Sequence, residues 1–266
     1  MSTPAKQFYA RFQMLAARKA FQPAFRLMRS VSAAGMNYQP GHFSRSGELA
    51  VLERIRSNGT GVRTIFDVGA NVGDWSLAVS DIFPEATIYA FEPATETFGQ
   101  LEHRLDGRQV VTVQGAMSDA VGTRTLHSVP GMSWMSSLEE LDLTRLRVEA
   151  SEVEEVPCLA LDEYCAQQDI ASIDILKIDT EGHELSVLKG ASDLISRSAI
   201  GYIQFEQGAA NLDSRIFLKD FFQLLGPGYR ICRILRDGLD PITYSAKEES
   251  FSEANFFAVA NDRPIP

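Results

Sequence analysis

The segment 64–73 restricts the architecture of this chain more than any other. A short apolar strand, Thr64-Ile65-Phe66-Asp67-Val68, runs directly into Gly69-Ala70-Asn71-Val72-Gly73. Residues 74–82 then carry Trp75, Leu77, Ala78 and Ile82 at helical spacing. A strand that ends in a glycine loop and turns at once into a helix is the repeating unit of a parallel sheet. The rhythm recurs, with strands predicted over 87–91, 110–113, 173–178 and 200–205. Helices are predicted over 47–57, closed by Asn58-Gly59, and over 94–105 and 185–195. Two last strands, 229–235 and 255–259, are expected to close one edge. The predicted fold class is α/β: a mostly parallel sheet with helices on both faces.

In an open parallel sheet, nucleotides bind at the carboxyl ends of the strands. Gly69 and Gly73 would let backbone approach a ligand, and the amides opening the next helix favour negative charge. The loop is not the dinucleotide fingerprint, because Asn71 and Asp74 stand where its second and third glycines belong. No Gly-Lys-Ser/Thr follows to make a phosphate loop. Asp67 at its head would repel a pyrophosphate and suits an ammonium, such as the amino group of methionine. The ligand indicated is therefore S-adenosyl-L-methionine rather than NAD. The expected contacts are Asp67, Gly69, Ala70, Asn71 and Gly73 from this loop. Glu92, ending the second strand in Phe91-Glu92-Pro93, is placed to accept from both ribose hydroxyls. Met117 or Ser118 would border the adenine. Taken singly, a glycine loop is often only a tight turn and a Glu only a solvated charge; three successive strand ends make the combination specific.

The fourth strand leads into Lys177-Ile178-Asp179-Thr180-Glu181-Gly182-His183-Glu184. Alternation puts Lys177 and Asp179 on one face, and Glu206, ending the fifth strand, should be their neighbour. Methyl transfer requires the acceptor to be held in line with the sulfur–carbon bond, and an alcohol acceptor must lose its proton. His183 is the expected base, with Asp179, Glu181 and Glu206 as the other catalytic candidates. Plainer roles stand beside these. His183 could brace the helix that follows, Glu181 and Glu184 could stabilise its N-terminus, and Lys177 could merely neutralise Asp179 or Glu206. A Mg²⁺ ion on Asp179 and Glu206 could activate a diol, but no metal is expected, since a few acids beside one strand end do not define a site.

Residues 116–160 interrupt the strand–helix rhythm with Gly122, Pro130, Gly131, a Ser/Met/Trp cluster at 132–137 and an acidic stretch from Glu149 to Glu155. They are read as an inserted hairpin or lid (about 120–160) of a domain spanning 47–266. Residues 1–46 are read as a helical extension and loop, helical over 5–30, with Phe8, Phe12 and Leu15 on one face and Pro23 opening a second helix. Residues 35–46 read as loop.

Charge is distributed unevenly. Residues 1–47 hold Lys6, Arg11, Arg18, Lys19, Arg26, Arg29 and Arg45, so all 35 acidic residues fall in the remainder of a chain of net charge −10. That balance argues against nucleic acid as a partner. The basic segment could pack as a cap on the main domain, contact another subunit of a homo-oligomer, or lie on an anionic membrane; an organellar transit peptide is the remaining reading. No secretory signal or transmembrane run is seen. Three scattered cysteines suit a reducing cytoplasm.

With these residues placed, the chain resembles the FkbM family of S-adenosylmethionine-dependent methyltransferases. The matching stretches are 66–73, Ala90-Phe91-Glu92-Pro93, Leu161-Asp162-Glu163-Tyr164, 176–184 and Val187-Leu188-Lys189-Gly190-Ala191, over roughly residues 47–260. The Asp179-Thr180-Glu181-Gly182-His183-Glu184 block is the most specific. The resemblance implies the Rossmann-like class I methyltransferase fold and O-methylation of a sugar, glycan or secondary-metabolite hydroxyl. It carries cofactor roles onto Asp67, Gly69, Asn71, Glu92 and Asp179, assigns no catalytic base, and does not reach the segment before residue 35. The alternatives are a methyltransferase-like binding module that has lost chemistry and an NAD-dependent oxidoreductase on a similar sheet.

Overall fold

The computed structural model describes residues 3–38, 41–140, 142, 144 and 151–266. The chain divides into two compact units, Met1–Gln39 and Pro40–Pro266. The first contains helix α1 (Thr3–Ala16), a 3-10 turn (Lys19–Phe21) and helix α2 (Gln22–Gly35), with Pro23 in the first turn of α2, where a missing amide hydrogen costs nothing.

The second unit opens with helices α3 (Phe43–Ser46) and α4 (Glu48–Ser57), then strand β1 (Thr64–Val68), α5 (Asp74–Ile82), β2 (Thr87–Glu92), α6 (Thr95–Leu105) and β3 (Val110–Gln114). Next come β4 (Ala116–Met117), β5 (Gly122–Val129), β6 (Met132–Ser137), β7 (Glu152–Leu159), α7 (Leu161–Gln167), β8 (Ile173–Ile178), α8 (Glu184–Lys189) and α9 (Ser192–Ser196). The unit ends with β9 (Ile200–Gln207), α10 (Ala210–Ser214), α11 (Leu218–Leu225), β10 (Tyr229–Leu235), β11 (Gly238–Pro241) and β12 (Ala254–Ala260).

The main sheet runs β11-β10-β12-β9-β8-β1-β2-β3. Its five strands from β3 to β9 are parallel, in the 3-2-1-4-5 order of a doubly wound sheet. Beyond β9 the antiparallel β12 is inserted before β10 and β11. This is the expected Rossmann-like α/β sheet. One face buries Ile65, Ile88, Ile175 and Tyr202 under α4 and α5 through Leu52, Ile55 and Val79. The other buries Phe66 and Phe91 edge-on to Tyr164 of α7, the geometry aromatic rings prefer.

Three sequence expectations are redrawn. The helix expected over 185–195 is two helices, α8 and α9, parted where Ala191 leaves the helical conformation (φ −113°). A Cβ on Gly190, beside the break, would lie 2.0 Å from the Ser118 carbonyl oxygen, so this close approach needs a glycine. Residues 43–46, expected as loop, make a helical turn. The insertion contains the expected hairpin, β5–β6, but within a four-stranded sheet ordered β4-β7-β5-β6; Glu149 of its acidic stretch, like Pro40 of the 35–46 loop, lies outside the described residues. The three cysteines are free and buried. Among the described residues, no helix is long and apolar enough to cross a membrane.

Candidate active site

Register across the sheet aligns the polar residues. Asp67 of β1 pairs with Lys177 of β8, and Lys177 with Gln204 of β9. All three point to the face covered by α4 and α5, where apolar packing excludes water. Lys177 Nζ lies 3.1 Å from Asp67 Oδ1 and 3.4 Å from Asp179 Oδ2. Burial opposes its charge, but Asp67 and Asp179 outweigh that and hold the ammonium above its ordinary range. Ser76 Oγ donates to the other Asp67 oxygen at 2.6 Å. Asp67 is therefore wholly buried and its carboxylate is spent on the protein. The ammonium it was expected to attract is supplied by the chain itself.

Two residues further along each strand, at the carboxyl ends, the same face presents Asp179 and Glu206. Carboxyl oxygens of Asp179, Glu181 and Glu206 lie within 4.8 Å of one another. Burial, then the charges of Asp179, Glu181 and Glu253, hold the Glu206 carboxyl well above the usual range. Beside this group Glu181 (φ 52°) and Gly182 (φ 100°) form a tight left-handed turn. Buried Glu184 braces the turn by accepting from Thr180 N at 3.1 Å and Gly182 N at 3.0 Å.

A cleft opens over these strand ends. Its floor is Gly69, Asn71, Glu92 and Met117; Asp179, Glu181 and His183 form one side, and Ser133, Trp134 and Leu138 of the insertion form the other. Glu92 is 5% exposed. Its two oxygens accept from Asn71 N at 2.9 Å and Ala94 N at 3.0 Å, and burial pushes its carboxyl up to about 7. Asn71, itself left-handed (φ 49°), leaves a buried Oδ1 without a hydrogen-bond partner.

The sequence-predicted residues divide accordingly. Gly69, Asn71, Glu92, Met117, Asp179, Glu181 and His183 line the cleft; Asp67, Ala70, Gly73, Ser118 and Glu206 stand behind its wall. The two loop glycines are needed by the fold itself. A Cβ on Gly69 would lie 1.8 Å from the Asp179 carbonyl oxygen, and one on Gly73 2.8 Å from Leu101 Cδ1. His183 is 1% exposed, with Nδ1 2.7 Å from Glu139 Oε1 and Nε2 3.0 Å from Ser118 Oγ. Ser118 Oγ also lies 3.0 Å from Asp119 Oδ1, and both His183 ring nitrogens are occupied by the protein.

Sequence reasoning did not anticipate Glu48, Gln204, Asn255 or Glu139. Buried Glu48, on α4, accepts from Ser46 Oγ at 2.7 Å, from Asn255 Nδ2 at 3.2 Å and from Gln204 Nε2. Burial raises its carboxyl despite the Ser46 and Gln204 bonds. A polar side chain interrupting an apolar strand, Gln204 in Ile203-Gln204-Phe205, was the available signal.

A family described as "Methyltransferase FkbM domain" matches residues 67–230. The chain is 31% identical to 31-O-demethyl-FK506 methyltransferase FkbM of Streptomyces tacrolimicus, over 48% of this chain and 59% of that protein. It is 29% identical to Methyltransferase 1 of Beauveria bassiana, over 48% and 58%. It is 23% identical to hexuronic acid methyltransferase AglP of Haloferax volcanii, over 61% and 64%. The chain thus spans about three fifths of the length of these curated relatives.

Proposed function

From the premise that the chain belongs to the FkbM methyltransferase family, we propose that it is an S-adenosylmethionine-dependent O-methyltransferase acting on a hydroxyl of a sugar, glycan or secondary metabolite. The observation that carries the reading is Glu92. Its carboxylate closes β2, is aimed by two backbone amides, and still faces the cleft. Each oxygen keeps a lone pair for a neighbouring pair of hydroxyls, such as a ribose diol. The orphaned Asn71 Oδ1 fits the same ligand, since a buried amide oxygen without a partner needs a donor.

S-adenosylmethionine supplies a methyl group on a sulfonium, whose bond to sulfur breaks as the acceptor oxygen attacks. The chain's own tasks are to hold the acceptor, exclude water and take its proton. Besides Glu92, which this reading gives to the ribose diol, the carboxylates that line the cleft are Asp179 and Glu181, so this pair receives the hydroxyl proton. His183 becomes a positioning residue. Exposed Trp134 and the hydroxyls of Ser133 and Ser136 offer a ring face and polar contacts to a polyol or macrocycle. Two relatives carry names for methylation of a hexuronic acid and of a demethylated FK506.

Calorimetric titration with S-adenosylmethionine and with NAD tests the reading. Binding of the first alone, weakened about a hundredfold or more in Glu92→Ala, is expected. Unaltered affinity in that variant removes the central observation, and binding without S-adenosylhomocysteine formation across an acceptor panel restores the binding-module reading.

A further inference from the structure

Helices α1 and α2 are amphipathic, and their apolar faces are open to solvent. Phe8, Phe12 and Leu15 share one face of α1 and are 73%, 51% and 48% exposed; Leu27, Met28 and Val31 on α2 are 67%, 60% and 64% exposed. No residue of α2 is buried. Helices of this length are marginal in water without an apolar partner, and so many large exposed side chains on one short segment mark a contact surface. Around them stand exposed Lys6, Arg18, Lys19, Arg26 and Arg29, with no acid before Glu48.

We infer that residues 3–35 dock this protein on an anionic lipid surface, lying in the headgroup plane rather than crossing. Charge selects this occupant. In a symmetric contact between two copies of this segment, the only charges brought together would be cations, with no carboxylate among them. A nucleic acid would satisfy the cations but leave Phe8, Leu27 and Val31 in water. A bilayer with negative headgroups meets both demands, burying the apolar faces at the acyl boundary and drawing the Arg and Lys side chains to phosphate. Each cation near such a surface strengthens binding about fivefold.

The test is co-sedimentation of the full chain with vesicles of phosphatidylcholine alone, or of phosphatidylcholine mixed equally with phosphatidylglycerol. Wild type should pellet with the mixed vesicles, be released by high salt, and ignore the neutral ones. Leu27→Glu/Val31→Glu should abolish binding, and Arg26→Gln/Arg29→Gln should weaken it about 25-fold. Both should match wild type in gel filtration and circular dichroism. No binding to mixed vesicles overturns the inference, as does binding indifferent to lipid charge or to these variants. A concentration-dependent dimer that Leu27→Glu/Val31→Glu dissolves would assign the face to a second copy instead.

Discussion

Glu139, just past β6 of the inserted sheet, lies 2.7 Å from Nδ1 of His183, just past β8 of the main sheet. Ser137 Oγ adds a bond at 2.7 Å to the Glu181 carbonyl oxygen. Together they clasp the insertion to the turn that carries Glu181, across 44 positions of sequence.

If His183 acts through this clasp, His183→Ala and Glu139→Gln should each lower kcat about tenfold, and the double variant should be little worse, as for two members of one interaction. The pH–rate profile should keep its shape in all three. Loss of its acidic limb in His183→Ala alone would return the base role to histidine.

Asp179→Asn and Glu181→Gln separate the two proton acceptors. The one that takes the hydroxyl proton should cost about 10²–10⁴ in kcat when made neutral, with S-adenosylmethionine affinity changed far less. Single-turnover rates beside calorimetric Kd values make the measurement. An equal, small loss in both variants would show that neither takes the proton.

Removing Lys177 should unfold rather than merely inactivate. Lys177→Met leaves Asp67 buried and uncompensated, at a cost of about 3–5 kcal/mol, read in urea unfolding. Adding Asp67→Asn should recover a large part of that loss, because the stranded charge goes with it.

Buried carboxyls give stability a defined pH slope. Glu48, Glu92 and Glu206 all titrate above the ordinary 4.5 in the folded protein. The folded state therefore holds these protons more tightly. Their contribution is complete below 4.5 and is lost as pH climbs through the folded values, about 7 for Glu92. The Tm of the ligand-free protein should fall by several degrees between about pH 5 and pH 8. S-adenosylmethionine affinity should run the other way, weakening below about pH 7 as Glu92 takes up the proton that blocks its lone pairs. A flat Kd from pH 5.5 to 8 would remove Glu92 from the diol contact.

The sheet was legible because period-two apolar runs separated by period-3.6 helices survive in one dimension. Its five parallel strands and the cleft-lining Gly69, Asn71, Glu92 and Asp179 follow from position at strand ends alone. The misread parts depend on long-range partners. Asp67 looked available because Lys177, 110 positions away, is its partner only once β1 and β8 pair. Glu48 went unnoticed because two of its partners lie 156 and 207 positions later. The need for glycine at 190 comes from the approach of Ser118, which no local pattern records.

Those separations bear on how the protein is made. Glu48 is near the start of the second unit, yet Asn255, one of the groups that satisfy it, belongs to β12, 207 positions later. During translation, the first half of the sheet must wait with a carboxyl that has Ser46 beside it but not yet Gln204 or Asn255. Inserting β12 between β9 and β10 both finishes the sheet and completes this buried hydrogen-bond set. Chains arrested before residue 254 should accordingly be held as protease-sensitive intermediates until β12 is added.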